Sequence, residues 1–338
     1  MKTRFGLAAV LLAAVLACNF PLSPDPLLIT ANPPAPTAKA VVAPVETVTS
    51  VPAFEPSPSP DLVVSGKIVF TCQIFKIQAA NQICILNADG SGFRRLTSDD
   101  NRQHFYPSLA PDGQSVLYAS FVEANVYDLY EMTLDGQVTR LTRDLGLLVA
   151  PEVSPDGRLV AFTRWTPQTT YAIWVMNRDG SDPHQVFGPP NGSGWDPTWS
   201  PDGMQILFAS DMAGTVQLYT VDLDGKNLRR VTNLPGLRGR SDWSPDGRSI
   251  VTYAGEPWHR EVYLLTANGL DVRSISPPGG NSQGPSFSPD GRWVTFTAYF
   301  DHYGDDHGCE IYIMRLDGGD LRRLTDNDYC DYQPRWGP

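Results

Sequence analysis

The sequence predicts an all-β fold made of repeated four-stranded units, and three observations carry that reading. The stretch Ala110-Pro111-Asp112-Gly113 recurs as Ser154-Pro155-Asp156-Gly157, Ser200-Pro201-Asp202-Gly203, Ser244-Pro245-Asp246-Gly247 and Ser288-Pro289-Asp290-Gly291, with its glycines at 113, 157, 203, 247 and 291. A second turn follows each first one: Asp135-Gly136, Asp179-Gly180, Asp224-Gly225, Asn268-Gly269 and Asp317-Gly318, with Asp89-Gly90 ahead of them all. Between the turns, β-branched and aromatic residues alternate with period two, the mark of a strand. Four-stranded units at this period of roughly 45 residues are the signature of a β-propeller.

Each element has its own chemistry. In the first turn Pro fixes φ at the corner, Asp bonds its own backbone, and Gly takes the positive φ of a tight reversal. The strand that follows places Val116, Val160, Ile206, Ile250 and Val294 in one column, with Tyr118, Phe162, Phe208, Thr252 and Phe296 two places on. The strand before the second turn sets Ile83, Leu129, Ile173, Leu218, Val262 and Ile311 in a column beside Cys84, Tyr130, Trp174, Tyr219, Tyr263 and Tyr312. A short outer strand then ends in Arg95-Leu96-Thr97, Arg140-Leu141-Thr142, Arg230-Val231-Thr232 or Arg323-Leu324-Thr325.

The two ends of the chain give the blade count. The segment that opens at Ser65-Gly66-Lys67 enters the repeat after a missing first turn, and Tyr332-Gln333-Pro334-Arg335-Trp336 matches the innermost strand at Trp195-Asp196-Pro197-Thr198-Trp199. The simplest solution is a six-bladed β-propeller of four-stranded antiparallel blades, its ring closed by the C-terminal strand in the first blade, which leaves no open edge there.

Ahead of the repeats, Lys2 and Arg4 precede an apolar run over residues 5–17, the length of a signal-peptide core rather than of a permanent membrane span. Val15-Leu16-Ala17-Cys18 resembles a bacterial lipoprotein processing site, which implies a signal peptide over 1–17 and a lipidated Cys18. Residues 18–63 are rich in Pro, Ala, Thr and Ser and bury too little apolar surface to fold, so they read as a disordered tether carrying the propeller of residues 64–338. The expected location is therefore extracytoplasmic, anchored to a membrane in the periplasm or at the cell surface. A formal net charge of −11 speaks against a nucleic-acid partner.

The repeat of Trp-Ser-Pro-Asp-Gly-Arg, strand, Ile-Tyr-x-Met, Asp-Gly and Arg-Arg-Leu-Thr resembles the propeller of the TolB-like family over about residues 64–338. That resemblance implies a periplasmic propeller that binds a partner protein. The protein after which the family is named carries an α/β domain ahead of its propeller, where this chain is expected to have its tether.

Both repeated turns share one face of the disc, so the loops of variable length occupy the other, and variable loops on a rigid scaffold are where binding resides. The candidate binding face comprises His104, Trp165, Trp195, Asp196, Arg238, Arg240, Trp258, His259, Tyr303, Asp305, Tyr329 and Asp331. Asp301, His302, Asp305, Asp306 and His307 form a loop dense enough in carboxylates and imidazoles to take a divalent cation, although its spacing matches no metal motif and a solvated turn explains it as well. No other cofactor is expected. The aromatic residues of this face could instead serve a glycan or a peptide, which leaves an exported carbohydrate-binding or carbohydrate-cleaving protein as the alternative to a non-enzymatic docking module for an envelope protein.

Cys72 and Cys84 lie on two arms of one hairpin, and Cys309 and Cys330 flank the last blade, so the pairs expected in an oxidising compartment are 72 with 84 and 309 with 330. Gly280-Asn281-Ser282-Gln283-Gly284 fits Gly-x-Ser-x-Gly, yet it precedes a propeller strand rather than joining a strand to a helix. No catalytic residue is assigned.

Overall fold

A computed structural model describes residues 64–73, 80–99, 101–299, 309–327 and 330–338. Cys18, Asp301, His302, Tyr303, Asp305, Asp306, His307 and Tyr329 lie outside the described residues.

The fold is an all-β propeller of four-stranded antiparallel blades. One sheet sets β1 (Lys67–Gln73), β2 (Asn81–Asn87) and β3 (Arg94–Arg95) beside the last strand of the chain, β24 (Asp331–Gly337). An eight-stranded sheet follows, from β4 (His104–Leu109), β5 (Ser115–Glu123), β6 (Val126–Thr133) and β7 (Val138–Arg140) to β8 (Leu147–Val153), β9 (Leu159–Thr166), β10 (Thr169–Asn177) and β11 (His184–Phe187). The third holds β12 (Trp195–Trp199), β13 (Gln205–Ser210), β14 (Gln217–Asp222) and β15 (Arg229–Arg230). The fourth holds β16 (Leu237–Trp243), β17 (Ser249–Glu256), β18 (His259–Thr266) and β19 (Arg273–Ser274). The last holds β20 (Asn281–Phe287), β21 (Trp293–Tyr299), β22 (Glu310–Arg315) and β23 (Arg322–Arg323).

Six separate sheets were the expectation; the described residues form four of four strands and one of eight. The cause is a single parallel pair, Tyr127 with Leu147, where the Tyr127 amide donates to the Gly146 carbonyl at 3.1 Å and fuses two four-stranded groups. The last strand lies antiparallel to β1, with Ile68 opposite Trp336 and Cys72 opposite Asp331.

The core follows the columns of the sequence. Val116, Val160, Ile206, Ile250 and Val294 are fully buried, as are Ile83, Leu129, Ile173, Val262 and Ile311. Neighbouring strands stack their aromatic residues across the ladder, Tyr118 on Tyr130 at 5.7 Å, Phe208 on Tyr219 at 6.1 Å and Phe296 on Tyr312 at 5.9 Å. In the first sheet that partner is Cys84, which faces Phe70 and bonds Cys72 instead. A second disulfide joins Cys309 to Cys330 next to the start of β24, where the Asp331 amide donates to the Cys309 carbonyl at 2.7 Å.

The turns are closed from within. In the first turn Ser154 Oγ donates to Asp156 Oδ1 at 2.6 Å and accepts from the Leu159 amide at 2.9 Å, and the same bonds recur at Ser200, Ser244 and Ser288. These donors hold the Asp156, Asp202 and Asp246 carboxyls below their usual range, so the repeated aspartates serve the turn. The Arg-x-Thr ending works the same way. Thr97, Thr142, Thr232 and Thr325 each accept the amide of the aliphatic residue on the neighbouring strand (Ile83, Leu129, Leu218 and Ile311) at 2.9 Å. Each hydroxyl then donates to the side chain one place earlier, Gln82, Asp128, Gln217 or Glu310.

Gly269, in a second turn, has φ +84°, and a Cβ there would run into the Val231 carbonyl of the preceding sheet. The close approach is open to glycine alone.

Candidate functional site

The innermost strands share one backbone device. Tyr106, Ala150, Asp196, Arg240, Gly284 and Gln333 occupy equivalent places in β4, β8, β12, β16, β20 and β24, and all have positive φ, from 21° at Arg240 to 61° at Gly284. The register shifts beside each of them, so each is a bulge, and the five that are not glycine re-aim their side chains there. Five are followed by proline (Pro107, Pro151, Pro197, Pro285 and Pro334), which removes an amide the bulge would leave unpaired.

Two polar tiers result. In the deeper one, Arg335 Nη2 lies 3.4 Å from Glu152, its Nη1 lies 3.9 Å from Asp242, and Nη2 also donates to the Ser241 carbonyl at 3.2 Å. Thr198 donates to Glu152 at 2.8 Å, and Ser286 donates to Asp242 at 2.8 Å. Burial pushes the Glu152 carboxyl up, and the Arg335 guanidinium opposes that shift.

The tier nearer the loops is built around Arg240. Its Nη2 donates to the carbonyls of Pro107 at 3.4 Å and Gln333 at 3.3 Å, and its Cζ stands 5.4 Å over the ring of Tyr106. Asp196 accepts the Arg240 backbone amide at 3.0 Å. Gln333 Oε1 accepts from Thr71 and from the Tyr106 amide, both at 2.9 Å, and so ties β24 to β1 and β4. Burial, with Arg335 second, pulls Arg240 down to about 10; burial pushes Tyr253 up to about 12. Burial and the Asp196 charge together raise Tyr106 well above a free phenol.

Several residues of the expected binding face meet here. Trp195 Nε1 donates to the Arg238 carbonyl at 3.3 Å, and Arg238 donates through Nε and Nη2 to the Gly255 carbonyl at 3.1 and 3.0 Å. With Asp196 and Arg240 they form one cluster at the loop ends of β12 and β16. Trp258 is 44% exposed in the turn between β17 and β18 and stands edge-on to Tyr299 at 5.9 Å, with exposed His259 next to it. Trp165 packs on Tyr171 at 6.4 Å.

Two members of that set are corrected. His104 is only 5% exposed, edge-on to Tyr118 at 5.4 Å, and burial pulls its imidazole down to about 4. Both sides of β4 are covered, so its first residue points into protein. Asp331 is 2% exposed, accepts from Asn327 Nδ2 at 2.9 Å, and is pushed up to about 7 chiefly by burial. Its place as the first residue of β24, beside the disulfide, explains that burial.

Sequence reasoning missed Tyr106, Glu152, Asp242, Tyr253, Arg260 and Arg335. A signal for two of them exists in the recurring x-Pro-x of the innermost strands, whose third residue is Ser108, Glu152, Thr198, Ser286 or Arg335. Ser282 of the Gly-x-Ser-x-Gly stretch is fully buried within β20, which is no place for a nucleophile elbow. Among the described residues no group of three or more His, Cys, Asp or Glu side chains is placed to hold a metal ion.

Comparison with known proteins agrees with this architecture. Solved structures similar to the chain include TolB from Acinetobacter baumannii, 26% identical, with TM-score 0.70 over 81% of this chain and 67% of that one. A putative TolB from Agrobacterium tumefaciens is 21% identical, with TM-score 0.62 over 81% and 99% of the two chains. A puromycin-hydrolysing peptidase from Mycobacterium tuberculosis shares the fold at 18% identity, with TM-score 0.53 over 73% of this chain and 43% of that one. Residues 61–301 match the family model of the TolB β-propeller domain, and the chain belongs to that family.

Proposed function

We propose that the chain is an exported, lipid-anchored propeller of six blades that docks a protein of the cell envelope through its loop face, without catalysis of its own. Dividing the eight-stranded sheet at its single parallel pair yields two four-stranded blades, and the pairing of β24 with β1 supports closure of the ring by the C-terminal strand. Lys2, Arg4, the apolar run and Cys18 support export and lipidation, with residues 18–63 as the tether.

One observation carries the docking reading. The turn end of the propeller uses its polar groups on itself, whereas the loop end gathers Trp195, Asp196, Arg238 and Arg240 from two neighbouring sheets. Aromatic and arginine side chains on a rigid scaffold are what the centre of a protein interface is made of. Affinity capture from detergent-solubilised envelopes, comparing the full chain with an Arg238→Ala/Trp258→Ala variant of equal circular dichroism, tests it. One protein retained by the parent and lost from the variant is the expected outcome. Equal retention by both, or none by either, counts against it.

Exposed Trp258, edge-on to half-buried Tyr299, favours a second reading, a platform for a sugar ring. Tryptophan fluorescence that stays unchanged on titration with cell-wall oligosaccharides would remove its support.

A further inference from the structure

We propose that the loop-side tier around Arg240 is a binding site for a carboxylate group, held between the guanidinium groups of Arg240 and Arg260 beside the Tyr253 hydroxyl. The inference deepens the docking reading and rests on it only for where the carboxylate comes from.

Two buried guanidinium groups find no carboxylate as a hydrogen-bond acceptor among the described residues. Arg260 is 8% exposed; its Nη1 donates to Gln283 at 2.6 Å, and its Cζ stands 5.9 Å from the Tyr253 ring. Its Nε has no hydrogen-bond partner, and among the described residues no carboxylate pairs with it. Arg240 is 5% exposed and its Nε is likewise unpartnered. The carboxylate beside it, Asp196, accepts its backbone amide, while the guanidinium reaches only carbonyl oxygens. Arg335, one tier deeper, differs in lying between two carboxylates, Glu152 at 3.4 Å and Asp242 at 3.9 Å, although its Nη1 too lacks a hydrogen-bond partner. Burying guanidinium donors without acceptors is costly, and with Asp196 as the one carboxylate beside two cations among the described residues, the pair keeps an excess of positive charge that suits an anionic ligand.

The two side chains lie against adjacent residues of β20. Gln283 holds Arg260, and a Cβ on the next residue, Gly284, would lie 3.8 Å from Arg240 Cδ. Tyr253 feels both cations, which pull against the burial that raises its phenol. Tyr106 and Asp196 beside Arg240, and Tyr253 beside Arg260, are each partly exposed. A planar guanidinium fork matches a carboxylate, and the two tyrosine rings offer an organic remainder an aromatic wall. Asp196 on the same wall repels a second negative charge, which favours a monoanionic carboxylate over a phosphate dianion.

Titration calorimetry on the full chain tests this with four probes: acetyl-Ala-Ala with a free C-terminal carboxylate, its C-terminal amide, acetate, and inorganic phosphate. The free acid is expected to bind at least tenfold more tightly than the amide, and Arg260→Gln to remove that preference without changing circular dichroism. Arg240→Gln unties β16 from β4 and β24, so Arg260→Gln is the deciding variant. Acid and amide binding alike, neither binding, an unchanged preference in Arg260→Gln, or phosphate binding more tightly than acetate would each overturn the proposal. Acetate binding as well as the peptide acid assigns the site to free carboxylates; binding by the peptide acid alone assigns it to a partner's terminus. Envelope capture is scored separately, so a lost docking partner leaves the calorimetric result standing, and a failed titration leaves docking standing.

Discussion

The two ends of this propeller are built from the same strands and spend their polar groups in opposite ways. At the turn end, Ser154, Asp156 and their counterparts bond the backbone a few residues away, and the network repeats from sheet to sheet. Along the axis, Glu152, Asp242, Arg335, Asp196 and Arg240 come from four sheets, occur once each, and find partners far away in sequence. Repetition marks groups that build the scaffold. Departure from repetition at equivalent places marks groups the scaffold presents.

Breaking the axial tier should cost most. Arg335→Ala leaves Glu152 and Asp242 facing each other without their shared cation. Removing one partner from such a buried network destabilises by about 3–5 kcal/mol. Urea unfolding monitored by tryptophan fluorescence reads the loss, and a loss below about 1 kcal/mol would mean that water already screens these carboxylates. The repeated network is the milder case. Thr232→Val leaves the Leu218 amide and the Gln217 side chain without their hydroxyl partner, at a cost of about 1–3 kcal/mol in the same assay.

The contrast also explains what could be read from the sequence. Turn chemistry is local: Pro-Asp-Gly closes in four residues, and the aliphatic columns follow from period two, so the four-stranded antiparallel unit and both disulfide pairs were legible, whereas the number of separate sheets was not. The fused eight-stranded sheet was not, because it hangs on one amide–carbonyl bond between Tyr127 and Gly146. Nor was the axial cluster, since Arg240 meets Pro107 and Gln333 only after the strands between them have been placed. His104 was misplaced for the same reason: its loop position suggested the surface, whereas the sheet covers it on both sides.

The sharpest test of the comparison is in pH dependence at two corrected residues. Asp331 is pushed up to about 7 in the folded chain from 3.8. The folded state therefore keeps a proton that the unfolded chain has lost, and this residue's contribution is greatest below pH 3.8 and declines as pH rises toward 7. His104 is pulled down to about 4 from 6.5, so the unfolded chain takes up a proton that the folded one refuses. Its contribution is present above pH 6.5 and is lost as pH falls toward 4. The two slopes oppose each other, each at most about 1.4 kcal/mol per pH unit. The stability difference between the parent and Asp331→Asn should therefore fall with rising pH between about 4 and 7. The difference between the parent and His104→Gln should rise over about pH 4 to 6.5. Two difference curves of opposite sign would place both side chains inside the protein; flat curves would return them to the solvent-facing surface on which loop position alone had put them.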